Sequence, residues 1–262
     1  MHYVIKRVWL QVLALALLVS VPWGVYASSD DVQGVLAAAD RSEADRARDQ
    51  RDKAAELIAW MNIKPGFAIA DIFAGGGYWS ELFAAAVGPA GKVLVHNNAA
   101  YRKFVGPDVG VRFEGEPTAA VIHDREVADL GLGSQRLDLI YMGLSFHDLY
   151  FVSEENSWPA IDDAAFIQQL YNALKPGGRL VIVDHHAKAG TGVEAAQNLH
   201  RIEKAFVIDR LTTAGFTLHS QSALLENATD DLGISVFDKS VRGKSSRFIL
   251  AFEKLESKKV EK

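Results

Sequence analysis

The order of apolar and polar positions predicts short strands alternating with amphipathic helices. Phe67 to Phe73 reads as an apolar strand closed by a glycine cluster. Tyr78 to Val87 then places Trp79, Leu82, Phe83 and Ala86 on one helical face. Gly88-Pro89-Ala90-Gly91 turns the chain into a second strand, Lys92 to His96. Ala119 to His123 is expected as the third strand, with Val111 to Glu114 competing for that place. Leu137 to Gly143 is the fourth strand and Ile161 to Leu174 a helix. Lys175-Pro176-Gly177-Gly178 leads into the fifth strand, Arg179 to Asp184. One long helix is predicted from Glu194 to Ala214, stopped by Gly215. Strands at Phe216 to Leu224 and Arg247 to Glu253 complete the pattern.

Such alternation implies a mainly parallel sheet with helices on both faces, and the last two strands suggest an antiparallel edge. The expected fold is therefore α/β and Rossmann-like: seven strands, spanning residues 63–255. A helical extension, residues 28–62, precedes it. There Ser42, with Asp45 three residues on, resembles a helix-starting cap. Leu57, Ile58, Trp60 and Met61 can dock this extension on the core. Arg48, Asp49, Arg51 and Asp52 are expected on a solvated face with local ion pairs; the alternative is a role in closing over a ligand. Residues 256–262 form a Lys-rich tail expected to be disordered.

The first 27 residues follow a different rule. Lys6 and Arg7 precede an apolar run from Val8 to Val21, and Val25-Tyr26-Ala27 supplies modest and small residues at a cleavage position. That is the order of a secretory signal peptide, and the run is short for a transmembrane helix, which needs about 20 residues. The expectation is a periplasmic or secreted domain, off the membrane once the signal is removed. An uncleaved anchor is the alternative. The chain has no cysteine, so disulfides and thiolate metal sites are excluded. A net charge of −5 argues against nucleic acid as partner; the expected substrate is a small molecule.

Candidate chemistry centres on Asp71-Ile72-Phe73-Ala74-Gly75-Gly76-Gly77. Glycines between a strand and a helix let a ligand approach the backbone closely. The acid precedes the glycines, the position about 20 residues later holds Asn97, and Ser80 stands where a dinucleotide fingerprint wants Gly or Ala. These details disfavour a nicotinamide cofactor.

Here the sequence resembles the class I S-adenosylmethionine-dependent methyltransferases, from about Ala55 to Lys254. It looks closest to a group of exported members carrying Ala-Gly-Gly-Gly-Tyr in the first loop, with Leu199 to Ile202 and Arg242 to Lys244 as further shared motifs. The resemblance implies S-adenosylmethionine as cofactor and transfer of its methyl group to an acceptor. Asp71 would orient the loop and the methionine end of the cofactor. Gly75 and Gly77 match two of three family glycines, and Phe73 replaces the first. Asn97 takes the place of an acid that grips the ribose hydroxyls. Glu126 and Val127 match the pair at the adenine edge.

On the acceptor side, His147, following the fourth strand, is the candidate general base, with Asp148 beside it to orient it. The alternative is a histidine packed beneath the cofactor. Asp148, Asp184 and one histidine could converge on a metal, but the spacing is not that of metal-assisted O-methyltransferases, and no metal is expected. His200 and Arg201 are placed on the long helix, either reaching the pocket or bonding a nearby carboxylate. A methyltransferase-shaped module that binds another ligand without catalysis is the competing functional class.

Overall fold

The computed structural model describes residues 29–39, 41–106, 108–113 and 119–255. The expected signal peptide and the Lys-rich tail lie outside them. Helices α1 (Ser29–Ala37), α2 (Glu43–Arg51) and α3 (Ala54–Met61) come first. The α/β units follow: β1 (Ala68–Ile72), α4 (Tyr78–Val87), β2 (Lys92–His96), α5 (Ala99–Val105), α6 (Asp108–Arg112), β3 (Ala120–Ile122) and β4 (Leu137–Gly143). Then come α7 (Asp163–Ala173), β5 (Leu174–His185), α8 (Glu194–Leu199), α9 (Lys204–Thr213), β6 (Thr217–Ser222) and β7 (Arg247–Glu253).

The seven strands form one sheet in the order β3-β2-β1-β4-β5-β7-β6. All neighbours from β3 to β5 are parallel, and β7 runs antiparallel to both β5 and β6. Period-two alternation divides the core between the sheet's faces. Ala70, Ile72, Ile140, Met142, Leu180 and Ile182 pack with α7 and α9. Ile69, Leu139, Tyr141, Val181 and Val183 pack with α3 and α4 on the other. Strand order reverses between β1 and β4, so their C-terminal ends bound the crevice where open α/β sheets bind ligands.

The third strand falls within the expected Ala119 to His123, and residues 111–112 of the competing stretch are helical. Two element boundaries are revised. β5 begins at Leu174, since that residue already pairs with Leu137 across a bulge. The long helix breaks in two: His200 is left-handed (φ 51°), and Ile202 leaves the helix to bridge His186 at the end of β5. Arg201 is wholly buried there, bonded to Asp230 and to the Ile234 and His186 carbonyls. This pairing and the buried ion pair override the helical period.

The extension's charged residues are not simply a solvated face. Asp52 is 1 % exposed and accepts from Arg247 at 2.6 Å, Arg51 at 2.9 Å and Arg48 at 3.0 Å. Asp49 takes Arg41 at 2.7 Å and the Tyr78 hydroxyl at 2.7 Å. The network clamps α2 onto β7 and α4. Ser42 caps α2 as expected, accepting from the Asp45 N–H, and Leu57, Ile58 and Met61 are buried with Trp60 half-buried.

Candidate functional site

Two chain segments meet at the crevice: the glycine loop after β1 and the Leu144–Asp148 segment after β4. Phe73, Gly75 and Gly77 have φ of 55°, 60° and 79°. A Cβ on Gly77 would lie 2.8 Å from the Phe113 ring, so only glycine fits, whereas the position of a Cβ on Gly76 is open. Gly76 borders a cleft of about 690 Å³ lined by Arg41, Ser42, Asp45, Glu81 and Arg112. Arg112 fixes the loop by donating to the Gly76 carbonyl at 2.9 Å and also pairs with Asp45 and Glu81. Phe73 stacks between Tyr101 (4.8 Å) and Phe166 (5.7 Å), which anchors the non-glycine residue in its left-handed conformation.

Asp71 lies beneath this loop, 2 % exposed, and accepts from the Ser80 hydroxyl at 2.6 Å. Burial pushes its carboxyl up to about 7, with Ser80 and the Arg48 charge opposing. It therefore braces the loop from below through α4. Asn97 is fully buried and uses both ends of its amide on Gly75: Oδ1 accepts from the N–H at 2.9 Å, and Nδ2 donates to the carbonyl at 3.0 Å. It holds the loop and does not present its amide toward a ribose. Glu126 is exposed at the rim and accepts from the Ala99 N–H at the start of α5. Val127 is half-buried beside it. Asn97 and Glu126 are brought together by the Arg125 N–H, which donates to the Asn97 carbonyl.

Across the crevice, His147 is 4 % exposed. Its Nδ1 lies 2.8 Å from Asp184 Oδ1, and its backbone N–H donates to Asp184 Oδ2 at 2.8 Å. Its Nε2 is 3.3 Å from Asp148 Oδ1. Asp184, not Asp148, thus sets the orientation of the ring. Burial would push the imidazole down, but Asp184 and Asp148 outweigh it and raise it to about 9. Held so, His147 has Nδ1 engaged by Asp184 and Nε2 turned toward Asp148. Asp148 also accepts from the Tyr101 hydroxyl at 2.6 Å and lies 3.8 Å from His200 Nδ1. The histidine beside Asp148 and His147 is therefore His200, from the break between α8 and α9. His185 instead meets Ser245, and His186 packs on Phe248. The Ser145 hydroxyl, two residues before His147, is buried without a partner among the described residues. A buried hydroxyl of this kind is costly and marks a place where a ligand atom can complete the bonding.

Tyr101 and Arg112 are not given these positions by the sequence. Asp184 and His200 carry a usable signal: Asp184 lies at the end of β5, next to the end of β4, where parallel pairing puts it beside the Ser145-Phe146-His147 segment, and His200 follows β5 within reach of the same edge.

No protein-family model matches the chain, and no curated protein is similar to it. Solved structures do resemble it. One chain of the Haloferax volcanii complex between the Trm112 methyltransferase activator and a methyltransferase superposes with a TM-score of 0.59 at 13 % identity, covering 87 % of this chain and 98 % of that one. A SAM-dependent methyltransferase from Aquifex aeolicus gives 0.53 at 16 % identity, covering 87 % and 99 %. The 1,6-didemethyltoxoflavin-N1-methyltransferase of Burkholderia thailandensis, solved with 1,6-didemethyltoxoflavin and S-adenosylhomocysteine, gives 0.53 at 16 %, covering 87 % of each. At such identities the likeness establishes the fold, a Rossmann-like methyltransferase fold.

Proposed function

We propose that this protein is an S-adenosylmethionine-dependent methyltransferase acting on a small-molecule acceptor. The observation carrying the proposal is the glycine loop, with its left-handed Gly75 and Gly77, at the switch point of a methyltransferase-type sheet. The residues fit the cofactor at the loop and the rim. The loop backbone and Glu126, with Val127 beside it, would hold the cofactor, and Asp71 would keep the loop in place. They depart from the usual fit at Asn97, whose amide is engaged with Gly75.

Bound S-adenosylmethionine supplies an electrophilic methyl group on a sulfonium. The chain's part is alignment, since in-line displacement depends chiefly on proximity. His147 and Asp148, across the crevice from the loop, would position the acceptor, and the Ser145 hydroxyl could bond to it. The N-terminal pattern of residues 1–27 supports an exported domain, periplasmic or secreted. Among the described residues no helix is long and apolar enough to cross a membrane. The Asn97 arrangement favours one competing reading, a ligand-binding module without catalysis.

Calorimetry with S-adenosylmethionine and S-adenosylhomocysteine on the full chain tests the proposal. Micromolar binding, weakened at least about tenfold by Glu126→Ala, is expected, since a tenfold change is about 1.4 kcal/mol of contact. A folded protein that binds neither compound overturns it.

A further inference from the structure

The cluster at the end of β4 has a geometry that methyl transfer by alignment does not require. One ligand atom from each of His147, Asp148 and His200 lies within 4.8 Å of the others. Two of the spacings to the carboxylate are 3.3 and 3.8 Å. Ligand atoms about 2.0–2.1 Å from a tetrahedral zinc ion stand ~3.3 Å apart, so the His147–Asp148 spacing already matches and the His200–Asp148 spacing is somewhat longer.

Each ligand is already oriented by a second group. Asp184 bonds His147 Nδ1, leaving Nε2 to face the cluster; a carboxylate on the far nitrogen is the usual support for a metal-bound imidazole. Tyr101 bonds the other oxygen of Asp148. Phe151 and Phe237 flank the His200 ring, each with centroids at 4.7 Å. The left-handed backbone at His200, which lets Ile202 turn back to β5, puts that ring beside Asp148.

Charge makes the same point. Asp148 and Asp184 sit together, the latter wholly buried, and neither pairs with a Lys or Arg among the described residues. A divalent cation placed there would face two carboxylates. Side-chain exposure rises from 5 % at His147 through 13 % at Asp148 to 19 % at His200, so the cluster opens on one side. Two imidazoles, one carboxylate and an open position are the ligand set of a catalytic-type zinc site.

We propose that His147, Asp148 and His200 bind one divalent transition-metal cation of the zinc type, with Asp184 as the positioning residue for His147. The fourth position is left for water or an oxygen donor of the acceptor. This site stands apart from cofactor binding at the glycine loop.

The test uses the full chain freed of metal by a chelator and titrated with Zn²⁺ alone, with no S-adenosylmethionine present. One equivalent is expected to bind with micromolar or tighter affinity. His200→Asn should reduce affinity more than tenfold while keeping the fold, because asparagine tolerates the left-handed backbone. Asp184→Asn should weaken binding about 10–100-fold, and His219→Asn, at an exposed histidine, should leave it unchanged. Co²⁺ at the site should show the visible bands of a four-coordinate ion. Absence of stoichiometric binding, or binding indifferent to His200→Asn, overturns the proposal. Because no cofactor is present, failure here leaves the methyltransferase reading untouched, and failure of cofactor binding leaves this one untouched.

Discussion

Replacing Asp71 with asparagine separates the stability of the loop from its use. In the folded chain burial raises the Asp71 carboxyl from 3.8 to about 7. A raised folded pKa means that the carboxyl's contribution is fully present below 3.8 and declines as pH rises toward 7, because the unfolded chain releases the proton first. At about 1.36 kcal/mol per unit, the ceiling of that loss is about 4 kcal/mol. The substituted amide is nearly isosteric and its oxygen can still accept from Ser80, but it carries no charge to bury. Water penetration and relaxation reduce the ceiling, so a gain on the order of 2 kcal/mol at pH 8 is expected, or about 4–8 °C in Tm for a chain of this size. Thermal unfolding of both proteins from pH 4 to pH 8 is the assay. The difference should be small at pH 4, grow toward pH 7 and then level off. A variant less stable than the parent at pH 8 would show that Asp71 is ionised and held by its partners, and would refute the reasoning.

Four further outcomes follow from other parts of the fold. Asp52→Ala leaves Arg247 buried without its carboxylate and should cost about 3–5 kcal/mol in urea unfolding. With its carboxyl lowered to about 2 despite burial, chiefly by Arg51 and Arg247, Asp52 adds stability above pH 3.8 that is lost as pH falls toward 2; acid unfolding of Asp52→Asn should lack that step. Gly77→Ala forces a Cβ to 2.8 Å from Phe113 at φ 79°, and a loss of about 1–3 kcal/mol is expected; a change below about 0.5 kcal/mol would contradict the close approach. Arg201→Met strands the buried Asp230 carboxylate and should destabilise by about 3–5 kcal/mol, much of it recovered in the double variant with Asp230→Leu, as a double-mutant cycle would show.

Where local pattern and tertiary pairing agree, the sequence is sufficient: β2, β4, β7 and α4 fall on their expected residues. The period-two apolar runs and the glycine turns that bound them have few alternatives. The errors arise where a distant partner decides. Glu194 to Ala214 is helical in pattern throughout, but Asp230 and β5 pull Arg201 and Ile202 out of line. Asp52 resembles any charged helical residue until Arg247, nearly two hundred residues away, is placed on it. The same holds for the site. Asp71, Gly75 and Gly77 are contiguous and legible, whereas His200 and Asp184 join His147 only through the ends of α8 and β5. Asn97 is legible at the right strand end, but its side-chain bonds depend on a loop conformation that spacing does not specify.

The distribution of strain bears on whether this edge is shaped for a ligand or is only a consequence of folding. Of the seven non-glycine residues with positive φ among the described residues, Phe73, Leu144 and His200, with φ between 51° and 60°, gather at this edge; the region costs an L-residue about 1–2 kcal/mol. Glycine or asparagine would serve a plain turn better at each place. All three stand at ends of elements that meet at the C-terminal edge of the sheet: after β1, after β4 and after α8. The buried Ser145 hydroxyl, without a partner among the described residues, follows directly on Leu144. Side chains there secure the costly geometry, with Phe73 stacked in an aromatic cluster and His200 flanked by Phe151 and Phe237. Such conformations persist only where their surroundings over-determine them. Here the surroundings hold two imidazoles and two carboxylates in a fixed cluster opposite an open glycine loop. A scaffold that needed only to fold gains nothing from that arrangement, whereas a site that must hold its groups still before a ligand arrives does.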